Sequence, residues 1–244
     1  GLLHSLIDSH SEISTLPSIY FSQFFDGSIW KILNEKGFKR IVDRFIECYP
    51  VLFDASVSDP VKTIGSSYIE DIGVKEGMAN VGENKNECLY VNKSIFRKEL
   101  SLLISKYDKI DQLTFFKLVH IAYEKTINNT YKKPIIFYHI HNPDLYAKIN
   151  FIESAPSTKW VMMVRNPIQS CESWIYQSFL DNQYEKIIAS IIQMLFDIDR
   201  IEFKNFNFIG LRLEDLKLKP KETIRKLCNW MEVNEEETLF SMTA

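Results

Sequence analysis

The chain has 244 residues, of which 45% are hydrophobic and 25% charged, with a formal net charge of -3. That length suits one large domain, able to bury roughly 70–75% of its unfolded surface, or at most two small ones, and the composition argues against a disordered chain. The faintly acidic balance gives no support for a nucleic-acid surface, and no apolar run is long enough to span a bilayer.

Apolar spacing predicts a helix over 1–9, then a short strand over Ile13–Leu16 closed by Pro17. From Tyr20 to about Asp54 apolar residues recur at helical spacing, punctuated by Gly27 and Gly37. The stretch 56–92 has weak periodicity and reads as an irregular connection. Helical patterns return over Ser94–Tyr107 and Asp111–Ile127, the second opened by Asp111 as an N-cap. Ile135-Ile136-Phe137-Tyr138 is a buried-strand run of the kind parallel sheets use, followed by a helix over 144–152. Trp160–Val164 is a second such strand, and Asn166-Pro167 is an N-cap and first residue for the next helix. A helix over Tyr184–Ile201, a strand over Phe206–Leu211 and a last helix over Pro220–Met231 complete the pattern. Strands alternating with helices predict an α/β fold with a parallel sheet, whose ligands sit at the carboxyl ends of the strands. The four cysteines form no Cys-x-x-Cys pair, so neither a zinc site nor a disulfide framework is expected, and a soluble, cytoplasmic chain is the default.

The segment from Val164 to Trp174 carries the most chemistry. Arg165 stands where a buried strand ends and a helix begins, and a guanidinium there can grip a phosphate bidentately. The helix N-terminus adds free backbone N–H groups and a favourable dipole. Ser173, eight residues on, is placed to offer a hydroxyl to the same anion, while Ile168, Cys171, Ile175 and Phe179 form the opposite, core-facing stripe. The plainer alternative is an arginine paired to the sheet edge beside a surface serine.

An Arg-Asn-Pro step after a hydrophobic strand, with serine at plus eight, resembles the 3′-phosphate-binding motif of sulfotransferases that use 3′-phosphoadenosine 5′-phosphosulfate (PAPS). Leu2 to His10 is similar to the helix that follows the family's 5′-phosphosulfate loop. Leu211 to Leu216, followed by Lys219-Pro220 and a helix ending Leu227-Cys228-Asn229-Trp230-Met231, is similar to the family's C-terminal half. These segments lie in the family's order and bracket nearly the whole chain; 18–130 carries no match.

The resemblance implies a three-layer, P-loop NTPase-like sulfotransferase fold, a parallel sheet flanked by helices, spanning 1–244 as one domain. The mostly helical insertion over about 18–130 would shape the acceptor pocket, with Phe21, Phe24, Phe25 and Trp30 as lining residues or as core. It implies sulfuryl transfer from PAPS to a hydroxyl on a small-molecule or carrier-bound acceptor, leaving adenosine 3′,5′-bisphosphate, with no metal. Arg165 and Ser173 would bind the cofactor, and Gly1 and Leu2 would close the 5′-phosphosulfate loop, the rest of which precedes Gly1. The segment that closes over the 3′-phosphate would follow Ala244. His139-Ile140-His141-Asn142-Pro143 is similar to the family's Lys-Thr-His-Leu-Pro, which makes His141 the general base and His139 its companion; a two-residue slip makes His139 the base instead. A P-loop phosphotransferase using Glu214-Asp215 for magnesium, or a non-catalytic relative, stays open beside this reading.

Overall fold

In the computed structural model, placement is described for residues 2–16, 24–55, 84, 86–127, 132–140, 145–180, 183–199 and 207–240. The chain is mixed α/β and about 60% helical, and its described strands form two short parallel pairs. Its contacts group into two units, one made of residues up to Ser154 and one of Ala155–Phe240.

In the first unit, helix α1 (Leu2–Ile7) buries Leu3, Leu6 and Ile7 and leads to strand β1 (Ile13–Ser14). Helix α2 (Gly27–Asn34) starts where Asp26 Oδ1 accepts the Ser28 N–H at 2.8 Å. A 3-10 turn over Phe38–Arg40 feeds α3 (Ile41–Cys48), and another covers Pro50–Leu52. The next two helices, α4 (Lys93–Ile104) and α5 (Gln112–Thr126), each have a side-chain cap. Asn92 accepts from the Ser94 and Ile95 amides, and Asp111 accepts from Thr114, as its position before the apolar run predicts. Strand β2 (Ile135–Ile136) pairs in parallel with β1 in the register Ile13↔Ile135. Helix α6 (Leu145–Ser154) is tied back by Asn150, whose side-chain amide donates to the Phe25 carbonyl at 2.8 Å.

The core of this unit is aromatic. Phe24, Phe25, Phe45, Phe53, Phe96 and Phe115 are fully buried, with Phe53 and Phe96 edge-to-face at 4.8 Å between centroids and Phe45 stacked on Phe96 at 5.9 Å. Each such ring stabilises the fold by about 1.5–3 kcal/mol through burial alone. Phe24 and Phe25 are therefore core residues, and Trp30 lies against Phe115 at 5.8 Å; Phe21 lies outside the described residues.

The second unit opens with β3 (Trp160–Val164), which pairs in parallel with β4 (Phe208–Arg212) over five residues, from Trp160↔Phe208 to Val164↔Arg212. Between them run α7 (Pro167–Leu180) and α8 (Tyr184–Asp199), which pack on each other. A one-and-a-half-turn helix, α9 (Leu213–Leu218), follows β4 directly, and α10 (Pro220–Met231) begins with proline at its first position, where no N–H is needed. Ile224, Leu227, Cys228 and Met231 form the buried stripe of α10. Glu232 ends it in the left-handed conformation at φ 65°, and the Val233 amide bonds back to the Cys228 carbonyl. Lys159 clamps this end by donating to the Trp230 carbonyl at 2.9 Å and to Glu232 at 2.7 Å.

Two expectations are corrected. The apolar stripe of α7 does not face a core among the described residues: Ile168 is 68% exposed, Ile175 is also exposed and Cys171 is half-buried. The runs Ile135–Tyr138 and Trp160–Val164, both expected to be buried, are half-buried, with Met163 exposed, and only the first two residues of the former are in the ladder. No helix among the described residues is long and apolar enough to cross a membrane.

Candidate functional site

The parallel register sets the geometry of the second unit's strand ends. Because Val164 lies opposite Arg212, the residues that follow each strand, Arg165-Asn166 and Leu213-Glu214, emerge side by side. This is the carboxyl edge, where α/β sheets place their ligands.

Asn166 is the hinge of the turn. Its side-chain oxygen accepts the amides of Ile168 at 2.9 Å and Gln169 at 3.3 Å, the N-cap arrangement its position before Pro167 predicts. Its own N–H donates to Glu214 Oε1 at 2.7 Å. That bond, helped by Glu214's own backbone N–H and by the charges of Arg212 and Arg165, holds the Glu214 carboxyl below its ordinary range. Glu214 Oε2 lies 3.8 Å from Arg212 Nε.

These bonds revise the expected donor set. Pro167 has no N–H, and the amides of 166, 168 and 169 are already engaged by Glu214 and by Asn166's own side chain. An anion at this turn would depend on side chains, chiefly the exposed guanidinium of Arg165, more than on free backbone donors. Arg165 Nη2 reaches back to the Gln169 carbonyl at 3.3 Å, which lays the guanidinium over the first turn of α7. Ser173 is four residues beyond Gln169 and so shares its helix face; its side chain is not among those described.

The other expected site residues belong to the first unit. His139 is half-buried and follows β2 on the carboxyl side, and Leu2 opens α1 and is half-buried. His141 and Gly1 lie outside the described residues.

Sequence reasoning missed a buried polar cluster around β1. His120 is 1% exposed, and its Nδ1 lies 3.0 Å from Ser14 Oγ, itself buried. Burial pushes the His120 imidazole down to about 3, with the neighbouring His4 adding to the effect. Burial also lowers His4, against the opposing pull of Asp8, while Thr15 Oγ1 donates to Asp8. A signal was present: Phe116, His120 and Tyr123 stand at helical spacing on one face of α5, and that face buries all three.

Comparison with known proteins gives no further identification: no family model, curated protein sequence or solved structure matches this chain.

Proposed function

We propose that this chain is a PAPS-dependent sulfotransferase domain of P-loop-like architecture that transfers a sulfuryl group to a hydroxyl acceptor. The observation that carries the reading is the β3–α7 turn. An exposed arginine follows a parallel strand directly, beside the end of a second parallel strand and over the first turn of a capped helix. The sequence around it has the spacing of a 3′-phosphate motif, and the parallel pairing of 13–14 with 135–136 and of 160–164 with 208–212 agrees with the α/β alternation that such a sheet needs.

PAPS would supply an activated sulfuryl group and a good leaving group in adenosine 3′,5′-bisphosphate. Within this reading Arg165 grips the 3′-phosphate and Ser173 adds a hydroxyl donor from the same helix face. Gly1 and Leu2 end the loop at the 5′ side. His141, or His139 if the register slips by two, takes the acceptor's proton. Positioning and charge stabilisation provide most of the rate in transfers of this kind, so fixed donors matter more than a covalent partner. A magnesium-dependent phosphotransferase would draw on Glu214, whose Oε1 already accepts the Asn166 amide.

The test is ligand-induced thermal stabilisation of the full-length protein. Adenosine 3′,5′-bisphosphate should raise the midpoint clearly and adenosine 5′-monophosphate much less. Equal shifts from the two, or a preference for ATP with magnesium, would overturn the assignment.

A further inference from the structure

A second charged site lies in the first unit. An open groove of about 490 Å³ runs between α3 and the first turn of α4, lined by Arg40, Lys93 and Arg97 with Asp43 and Glu47. The chain as a whole is acidic, yet around this groove five cations (Lys36, Arg40, Arg44, Lys93, Arg97) meet three carboxylates (Glu35, Asp43, Glu47). Glu47 is already shared, with Arg44 Nη1 at 2.8 Å and Lys36 at 3.8 Å, and the Arg44 hydrogen bond holds its carboxyl below the usual range.

Asp43 is the organising group. Its Oδ1 takes Arg97 Nε at 2.8 Å and its Oδ2 takes Arg40 Nε at 3.4 Å, so one carboxylate holds two guanidiniums by the same nitrogen. Among the described residues the ion pairs of Arg40 and Arg97 both run through Nε to Asp43, with Glu47 near enough to feel the Arg40 charge, so the paired Nη groups of both forks are left as donors. Lys93 and Arg97 are four apart and share a face of α4, and Lys93 forms no ion pair among the described residues. Lys93 is also the first residue of a twelve-residue helix, where the dipole favours an anion.

We propose that this groove binds a ligand bearing a tetrahedral oxyanion, a phosphate or sulfate group, gripped by the Nη edges of Arg40 and Arg97 with Lys93 as a third charge. Guanidinium forks match such groups bidentately, and Asp43 removes the disorder that two exposed arginines would otherwise lose on binding. The inference does not depend on the transferase reading.

The experiment is an NMR titration of the full-length protein with inorganic pyrophosphate, with sodium chloride at matched ionic strength as the control. Saturable amide shifts confined to 92–97 and the start of α3, weakened about tenfold in Arg97→Gln and again in Arg40→Gln, are expected. Lys226→Gln, a surface change on α10, should leave them intact. A second arm measures cosedimentation with phosphatidylcholine vesicles containing phosphatidylinositol phosphate. Binding of pyrophosphate without cosedimentation assigns a soluble ligand; cosedimentation lost in the double variant assigns a lipid headgroup. Shifts no larger than those from sodium chloride, or saturable shifts that survive both substitutions, would overturn the proposal.

Discussion

Acid should destabilise this protein through His120 in a defined window. The imidazole titrates near 6.5 when exposed, and burial against Phe116 and Ser14 takes it down to about 3 in the folded chain. A histidine with a lowered folded value contributes stability that is fully present above the unfolded value. It is lost as pH falls from 6.5 towards 3, because only the unfolded chain takes up the proton there. Each pH unit within that window is about 1.4 kcal/mol, so at about pH 5 the loss is about 2 kcal/mol, a roughly thirtyfold shift towards the unfolded chain. Urea unfolding at about pH 7.5 and about pH 5 measures it, with His120→Gln as the comparison, since glutamine keeps a partner for Ser14 without the titration. The carboxylates titrate in both proteins and cancel, and His4, whose charge acts on His120, is replaced by glutamine in both so that it drops out of the comparison. The protein that keeps His120 should lose about 2 kcal/mol more than the variant over that interval; parallel losses would refute the buried neutral histidine.

Other perturbations probe single contacts. Gly37 sits at φ 83°, and a Cβ there would meet no atom within 4 Å, so Gly37→Ala should cost about 1–2 kcal/mol of unfolding free energy from backbone strain alone. Asp111→Ala removes the cap of α5 and should lower the urea midpoint by the equivalent of about 1 kcal/mol, with Asp111→Asn close to neutral. Glu214→Ala should speed hydrogen exchange at the Asn166 amide and lower the thermal midpoint, while Glu214→Gln, which keeps the acceptor oxygen, should preserve the protection.

The elements most legible in the sequence were those with both a hydrophobic signal and punctuation. Trp160–Val164 and Pro220–Met231 match residue for residue, the first as a continuous apolar run and the second because proline marks its start. Helix α9 was not legible: Leu213–Leu218 has six residues and no side-chain cap, and it falls between the expected strand ending at Leu211 and the expected helix from Pro220. Periodicity also names an apolar face without saying what lies against it. Ile168 and Ile175 on α7, and Ile188, Ile192 and Phe196 on α8, are spaced for a core, yet they are exposed. In the candidate site, Arg165 and its helix cap follow from neighbours in the chain. The Glu214 contact spans 48 residues and exists only because β3 and β4 pair in one register. His120 and Ser14 are farther apart still, at 106 residues, and neither carries a local signal of the other.

The central claim is that Arg165 recognises a 3′-phosphate. Calorimetric titration of wild type and Arg165→Ala with adenosine 3′,5′-bisphosphate and with adenosine 5′-monophosphate isolates that contact. The wild type should prefer the bisphosphate by about tenfold to a hundredfold, as a charge-assisted bidentate contact implies, and the variant should lose most of that preference while keeping its affinity for the monophosphate. A preference that survives in Arg165→Ala, or no preference in the wild type, would contradict the account.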